Sequence, residues 1–167
     1  MDSQEPSPVE WRIWLRRNAS QFLLFARQQT RCEADAEDVL QEALMEAWNR
    51  MPGHAPPPLP LVYATIRRRA IDLARGNDRR ARREQSGDPA HPPWFESETE
   101  MTGMRDLLES GVKGLLDNQR EVVVLKVWGG LTFEEIGAAL EIPPNTAASR
   151  YRYGIEALRK TLKPLLA

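Results

Sequence analysis

Side chains able to do covalent chemistry are few and scattered. The 167 residues hold two histidines, His54 and His91, both in proline-rich stretches, and one cysteine, Cys32. No His/Cys/Asp/Glu group has metal-ligand spacing, and no carboxylate pair flanks a plausible cleft, so hydrolytic, metal-assisted and nucleophilic chemistry all lack their parts. What the chain does concentrate is hydrogen-bonding and charge. Ser149, Arg150, Arg152 and Tyr153, followed by Arg159 and Lys160, fall on the side of one segment opposite to Ala147, Tyr151, Leu158 and Leu162. Guanidinium and hydroxyl groups on one helix face suit the base edges and phosphates of a DNA major groove. The alternative for this face is an ordinary solvated basic surface.

The elements that position those residues read as helix, short turn, helix. Thr132 is an N-cap with Glu135 three residues on, the pattern of a capping box. Phe133, Ile136 and Leu140 share one helical face, and Ile142 plugs the turn. Pro143-Pro144 closes the first helix and opens the second, because proline has no N–H to give to a helix interior.

A formal net charge of −1 hides strong segregation. Residues 31–50 carry six acidic side chains against two basic ones, residues 61–84 eight basic against three acidic, and residues 144–163 five basic against one acidic. The pattern predicts two polyanion-facing surfaces and one surface for a basic partner. The lone cysteine excludes an internal disulfide, no apolar run approaches membrane-spanning length, and the polar N-terminus is unlike a signal peptide. A cytoplasmic location and no direct membrane insertion are expected.

Along the chain, residues 1–8 read as a disordered tail. Val9–Gln29 is a helix with an aromatic stripe of Trp11, Trp14, Phe22 and Phe25. Ala34–Arg50 is a second, capped by Asp35, whose inner face is Val39, Leu40, Ala43, Leu44, Ala47 and Trp48; the acidic outer face includes Glu46. A proline-rich loop leads to a third helix, Leu61–Arg83, with Val62, Ile66, Ala70 and Leu73 inward. Its arginines, Arg67, Arg68, Arg69, Arg75, Arg79, Arg80, Arg82 and Arg83, repel one another unless something neutralises them, and Tyr63 is placed to stack on a base. Residues 85–103 form a serine-, proline- and glutamate-rich linker whose Trp94-Phe95 pair should dock somewhere. Met104–Leu116 and Asn118–Trp128 are further helices, with Asp117 capping the second; Leu107, Leu108, Val112, Leu115, Leu116, Val123, Val124 and Val127 supply core. The last helix stops at Pro164. The fold class is therefore all-α: two small helical domains, residues 9–84 and 104–167, joined by a flexible linker, the C-terminal one with a helix-turn-helix.

On these residues the chain resembles an extracytoplasmic-function (group 4) RNA polymerase sigma factor. Asp35-Ala36-Glu37-Asp38, Gln41-Glu42 and Ala47-Trp48 look like the family's region 2 signature. Gln119-Arg120-Glu121-Val122, Leu131–Ile136 and Pro144–Arg150 look like its region 4 signature and recognition-helix start. The resemblance implies a bacterial transcription initiation factor with neither cofactor nor catalysis. It implies that Asp35, Asp38, Gln41 and Glu42 bind core RNA polymerase at the clamp helices of the largest subunit. It implies that Tyr63, Arg67, Arg68, Arg69, Arg75, Arg79 and Arg80 meet the minus-ten element, where the duplex opens. It implies that Asn145, Thr146, Ala148, Ser149, Arg150, Arg152 and Tyr153 read the minus-thirty-five element, with the C-terminal domain on the flap of the second-largest subunit. An anti-sigma factor is a further implied partner. The sequence departs from the family at Leu61 (an aromatic elsewhere), Arg68 (Asn), Glu141 (the turn glycine), Ala148 (Lys or Arg) and Tyr153 (Arg), so an unusual upstream-element preference is expected. The rival reading is a two-domain regulator binding operators directly, which leaves the arginine-rich helix without a use.

Overall fold

The computed structural model describes residues 8–51, 53, 55–81, 94–95 and 102–166. Among them every regular element is a helix: α1 (Pro8–Gln29), α2 (Glu33–Arg50), α3 (Leu59–Ala81), α4 (Thr102–Lys113), α5 (Asp117–Val127), α6 (Phe133–Leu140) and α7 (Pro144–Leu166). The chain divides into two compact units, residues 1–92 and 93–167.

In the first unit α1, α2 and α3 pack pairwise. Small residues at the α2 interface, Ala36, Ala43 and Ala47, are fully buried and let the helices close on Phe22, Phe25, Val39, Val62 and Ile66. The aromatic stripe continues across the unit: Trp11 packs on Trp14 at 5.0 Å and on Trp48 at 4.5 Å, and Trp14 on Phe22 at 5.5 Å. Tilted and edge-on ring pairs of this kind add about 0.5–1.5 kcal/mol each beyond area burial. Two expectations fail at element ends. Asp35 is not the cap of α2; the helix starts at Glu33, with Cys32 at the N-cap and no side-chain cap bond. A tertiary contact fixes that start instead, the Arg27 guanidinium meeting both Glu33 carboxylate oxygens at 2.8 and 2.9 Å. The third helix begins two residues earlier than expected, at Leu59, with Pro60 in its first turn, where a missing N–H costs nothing. The expected residues Arg82 and Arg83 lie outside the described residues.

In the second unit α7 is the central element and contacts α4, α5 and α6. Val122–Leu125 are buried all round α5, together with Val112 and Leu115 of the preceding segment. Leu116 and Val127, expected in the core, are 65% and 50% exposed. Leu116 is the N-cap of α5, and after Val127 the chain turns back so that Leu131 fills the core instead. Asp117 is not the cap but the first helical residue, ion-paired with Arg120. The last helix runs through Pro164 to Leu166, because a proline this near the end removes only one hydrogen bond from the final turn.

Trp94 and Phe95 do dock, on the second unit. The Trp94 backbone N–H donates to the Glu109 carboxylate at 2.9 Å. Lys113 and Arg120 lie over its ring at 5.0 and 5.1 Å, and Phe95 packs on Trp128 at 5.5 Å. Burial raises the Glu109 carboxyl, but the bonds from Lys113 and from the Trp94 and Phe95 backbone outweigh it and hold the group below the usual carboxylate range.

Candidate nucleic-acid and polymerase interfaces

The helix-turn-helix is built by local signals that the sequence states openly. The Glu135 N–H donates to Thr132 Oγ1 at 3.2 Å and the Thr132 N–H to Glu135 Oε2 at 2.7 Å, closing the capping box. The turn reverses at Glu141, in the left-handed region with φ 57° and ψ 45°. The Ile142 N–H then donates to the Gly137 carbonyl at 3.0 Å. A methyl group on Gly137 would sit 2.6 Å from the Ile142 oxygen, so only glycine permits this approach. Glu141 holds the conformation a glycine would take freely. A left-handed non-glycine residue costs about 1–2 kcal/mol. Glu141→Gly is therefore expected to raise the melting temperature of the second unit by a few degrees, a net gain of about 0.5–1 kcal/mol after glycine's own entropy cost. Scanning calorimetry of the two proteins checks this.

The second helix of the motif is held at two points. Phe133 packs on Tyr151 at 5.6 Å, and Lys126 lies over the Phe133 ring at 4.7 Å. Gly154 is buried where α7 meets α5, and a Cβ there would lie 2.7 Å from the Val123 methyl and 3.4 Å from Gln119. With Ala147 and Gly154 turned inward, Asn145, Arg152 and Tyr153 are exposed, and Thr146, Ala148, Ser149 and Arg150 are half-buried beside them. The Arg152 guanidinium lies over the Tyr153 ring, 5.1 Å from its centre, so the two exposed side chains project together. All seven expected reading residues lie on the first three turns of α7.

In the first unit the acidic and arginine-rich faces meet. Asp38, Gln41 and Glu42 are exposed on α2, and Asp35 is half-buried. Glu46, which was expected on the outer face, is only 16% exposed and holds three arginines. Arg50 reaches it at 2.6 Å, Arg68 at 2.5 Å and Arg69 through Nε and Nη2 at 3.0 and 2.9 Å. Arg69 also lies 3.5 Å from Glu42. Burial raises the Glu46 carboxyl, but the hydrogen bonds from Arg69 and Arg68 and the charge of Arg50 outweigh it and hold it below the usual range.

Further along α3, Arg75 and Arg79 are exposed and Arg67 is half-buried; the Arg80 side chain lies outside the described residues. Tyr63 corrects the sequence reading. It is 2% exposed, with its ring edge-on to Phe22 at 5.1 Å and to Phe25 at 5.3 Å. Burial pushes its phenol far above the ordinary range, and no face is left for a base. Its spacing with Ile66 and Ala70 carried the inward signal. The histidines expected to be idle, His54 and His91, lie outside the described residues. Among the described residues no His/Cys/Asp/Glu group is arranged to hold a metal ion, and no helix is long and apolar enough to cross a membrane.

Comparison with known proteins meets this geometry unit by unit. Residues 14–80 match the family described as Sigma-70 region 2, and residues 105–158 match Sigma-70, region 4. The chain is 31% identical over 157 residues to the RNA polymerase sigma-E factor of Streptomyces avermitilis, covering 93% of this chain and 86% of that one. It is 32% identical over 154 residues to the RNA polymerase sigma factor CarQ of Myxococcus xanthus, covering 89% and 87%. Its fold resembles that of the sigma factor RpoE of Bartonella quintana, solved with the anti-sigma factor NepR, with a TM-score of 0.65, 21% identity, and coverage of 91% and 94%. The region 2 and region 4 matches stand in family order on the two helical units, and with them this chain belongs to the extracytoplasmic-function sigma factors.

Proposed function

We propose that the chain is a promoter-specificity subunit: it binds core RNA polymerase and directs it to promoters through two DNA contacts. The observation that carries this is the pairing of a region 2 unit, which juxtaposes an acidic and an arginine-rich helix, with a region 4 unit that exposes a recognition helix. Asp38, Gln41 and Glu42, with Asp35 at their edge, form the face for the basic clamp helices of the largest subunit. Arg67, Arg75, Arg79 and Arg80, with Arg68 and Arg69, serve the minus-ten element; Tyr63 supports that helix from the core and takes no base. Asn145, Thr146, Ala148, Ser149, Arg150, Arg152 and Tyr153 read the minus-thirty-five element while the flap of the second-largest subunit supports the unit. Binding energy does the work throughout, so the chain needs no catalytic group and acts where the polymerase acts, in the cytoplasm. The Bartonella relative's complex supports regulation of this chain too by a protein of the anti-sigma kind.

Transcription in vitro from a randomised promoter library tests the proposal. Added core polymerase should yield transcripts that share two spaced elements. Tight, sequence-specific duplex binding by the chain without core would favour a free-standing operator binder and overturn the reading. In the same assay Arg152→Ala should lower transcription about tenfold on templates carrying the upstream element, since a base contact of this type is worth about 1–3 kcal/mol. An equal loss on templates lacking that element would remove Arg152 from the reading set.

A further inference from the structure

Arg68 and Arg69 stand on the helix assigned to the minus-ten element, yet both guanidinium groups point back to α2. Glu46 takes Arg68 on one carboxylate oxygen and Arg69 on the other, with Arg50 joining Arg68. A fork-on-carboxylate pair uses the same planar donors that a phosphate would use. A phosphate that takes the donors now held by Glu46 must therefore displace it. They remain 47% and 40% exposed, so the exchange needs no unfolding.

We propose that Glu46 is a positioning residue that withholds Arg68 and Arg69 from DNA in the free protein, and that a basic partner docking on α2 releases them. The release half rests on the function proposed above. Glu42 shows how it would run. It is 60% exposed and already 3.5 Å from Arg69, so a partner's cation reaching it competes with Arg69 for the same acidic helix. Neutralising α2 from outside weakens its hold on α3 from inside. By linkage the coupling is reciprocal: DNA that draws Arg68 and Arg69 away leaves Glu42 and Glu46 freer for the basic partner.

The test is a titration of the full chain against a fluorescent non-specific duplex over a range of salt concentrations. Glu46→Gln should tighten binding at least fivefold at low salt. It should also steepen the dependence of log K on log salt by about 1–2, as each added phosphate contact contributes about 0.9. Glu37→Gln, which removes one exposed charge from the same helix, should change affinity less than twofold and leave the slope alone. In an Arg68→Ala/Arg69→Ala background the excess effect of Glu46→Gln should vanish. A Glu46→Gln protein that behaves like Glu37→Gln, or an excess that survives loss of both arginines, overturns the proposal. Should Glu46→Gln fail to fold, Glu46→Asp keeps the charge on a shorter stem and should show an intermediate slope; a slope equal to wild type overturns the proposal equally. With saturating core polymerase, wild type and Glu46→Gln should bind promoter DNA alike, and a persisting difference overturns the release step. Failure of the wild type to bind core would defeat the proposed function and the release step together, while the free-protein titration is decided without core.

Discussion

Asp38→Lys is expected to weaken binding of the chain to core polymerase at least a hundredfold, with helix content and melting temperature unchanged. Asp38 is exposed in the middle of the outer face of α2, between Gln41-Glu42 on one side and the half-buried Asp35 on the other. Its inner neighbours Ala36 and Val39 hold the helix in the core, so the substitution leaves the packing untouched. Against a basic partner it turns an attraction into a repulsion. Like charges held together at an interface cost several kcal/mol, and about 3 kcal/mol is a hundredfold in affinity. Pull-down of core polymerase at moderate salt, with circular dichroism on the same samples, decides it. Retention within threefold of wild type would detach α2 from the polymerase contact.

Gly137→Ala should severely destabilise the second unit. The added carbon would lie 2.6 Å from the Ile142 carbonyl oxygen and 3.4 Å from the Pro144 nitrogen, and these are backbone atoms that no side-chain rotation can move away. Relief requires opening the turn, which breaks the Ile142-to-Gly137 hydrogen bond and unseats the buried Ile136 and Leu140. A cost of about 3 kcal/mol follows from overpacking and the lost bond together, or roughly 15 °C in the melting temperature of a unit this size. Transcription from templates that depend on the upstream element should fall with it, while templates that do not depend on it keep most of their activity. A melting temperature within about 3 °C of wild type would show that the turn has slack.

Much of this was legible in the residues because the signals are local. The capping box at Thr132 and Glu135, the Pro143-Pro144 break and the aromatic stripe of α1 each state their element within a few positions. The start of α2 was not legible in that way. Its N-cap makes no side-chain bond, and what fixes it is the Arg27–Glu33 pair reaching back from α2 to α1. Tyr63 was misplaced because its chemistry suggested stacking while its spacing said core, and spacing prevailed: the buried stripe of α3 runs through Tyr63, Ile66 and Ala70. The demand for something to neutralise the arginines of α3 was visible in the sequence. That Glu46, more than twenty residues earlier, supplies it to two of them was not, because the register between two packed helices has no local signature. That Asn145 to Tyr153 would share one helix was legible, since the proline break before them and the periodicity after it are local signals.

The bare backbone at Gly154 makes α7 a lever. Contact with Val123 at that point is a fulcrum, and Asn145 lies nine residues away, at the end of the helix that the turn joins to α6. At about 1.5 Å of rise per residue the arm is roughly 13 Å long, so a tilt of only 5° would carry Asn145 about 1 Å. Hydrogen bonds to base edges tolerate about half an ångström, from roughly 2.7 to 3.2 Å. The direction of the residues expected to read DNA thus depends on the close approach at Gly154 as well as on the Phe133–Tyr151 contact, and a side chain at 154 would tilt them without altering one of them.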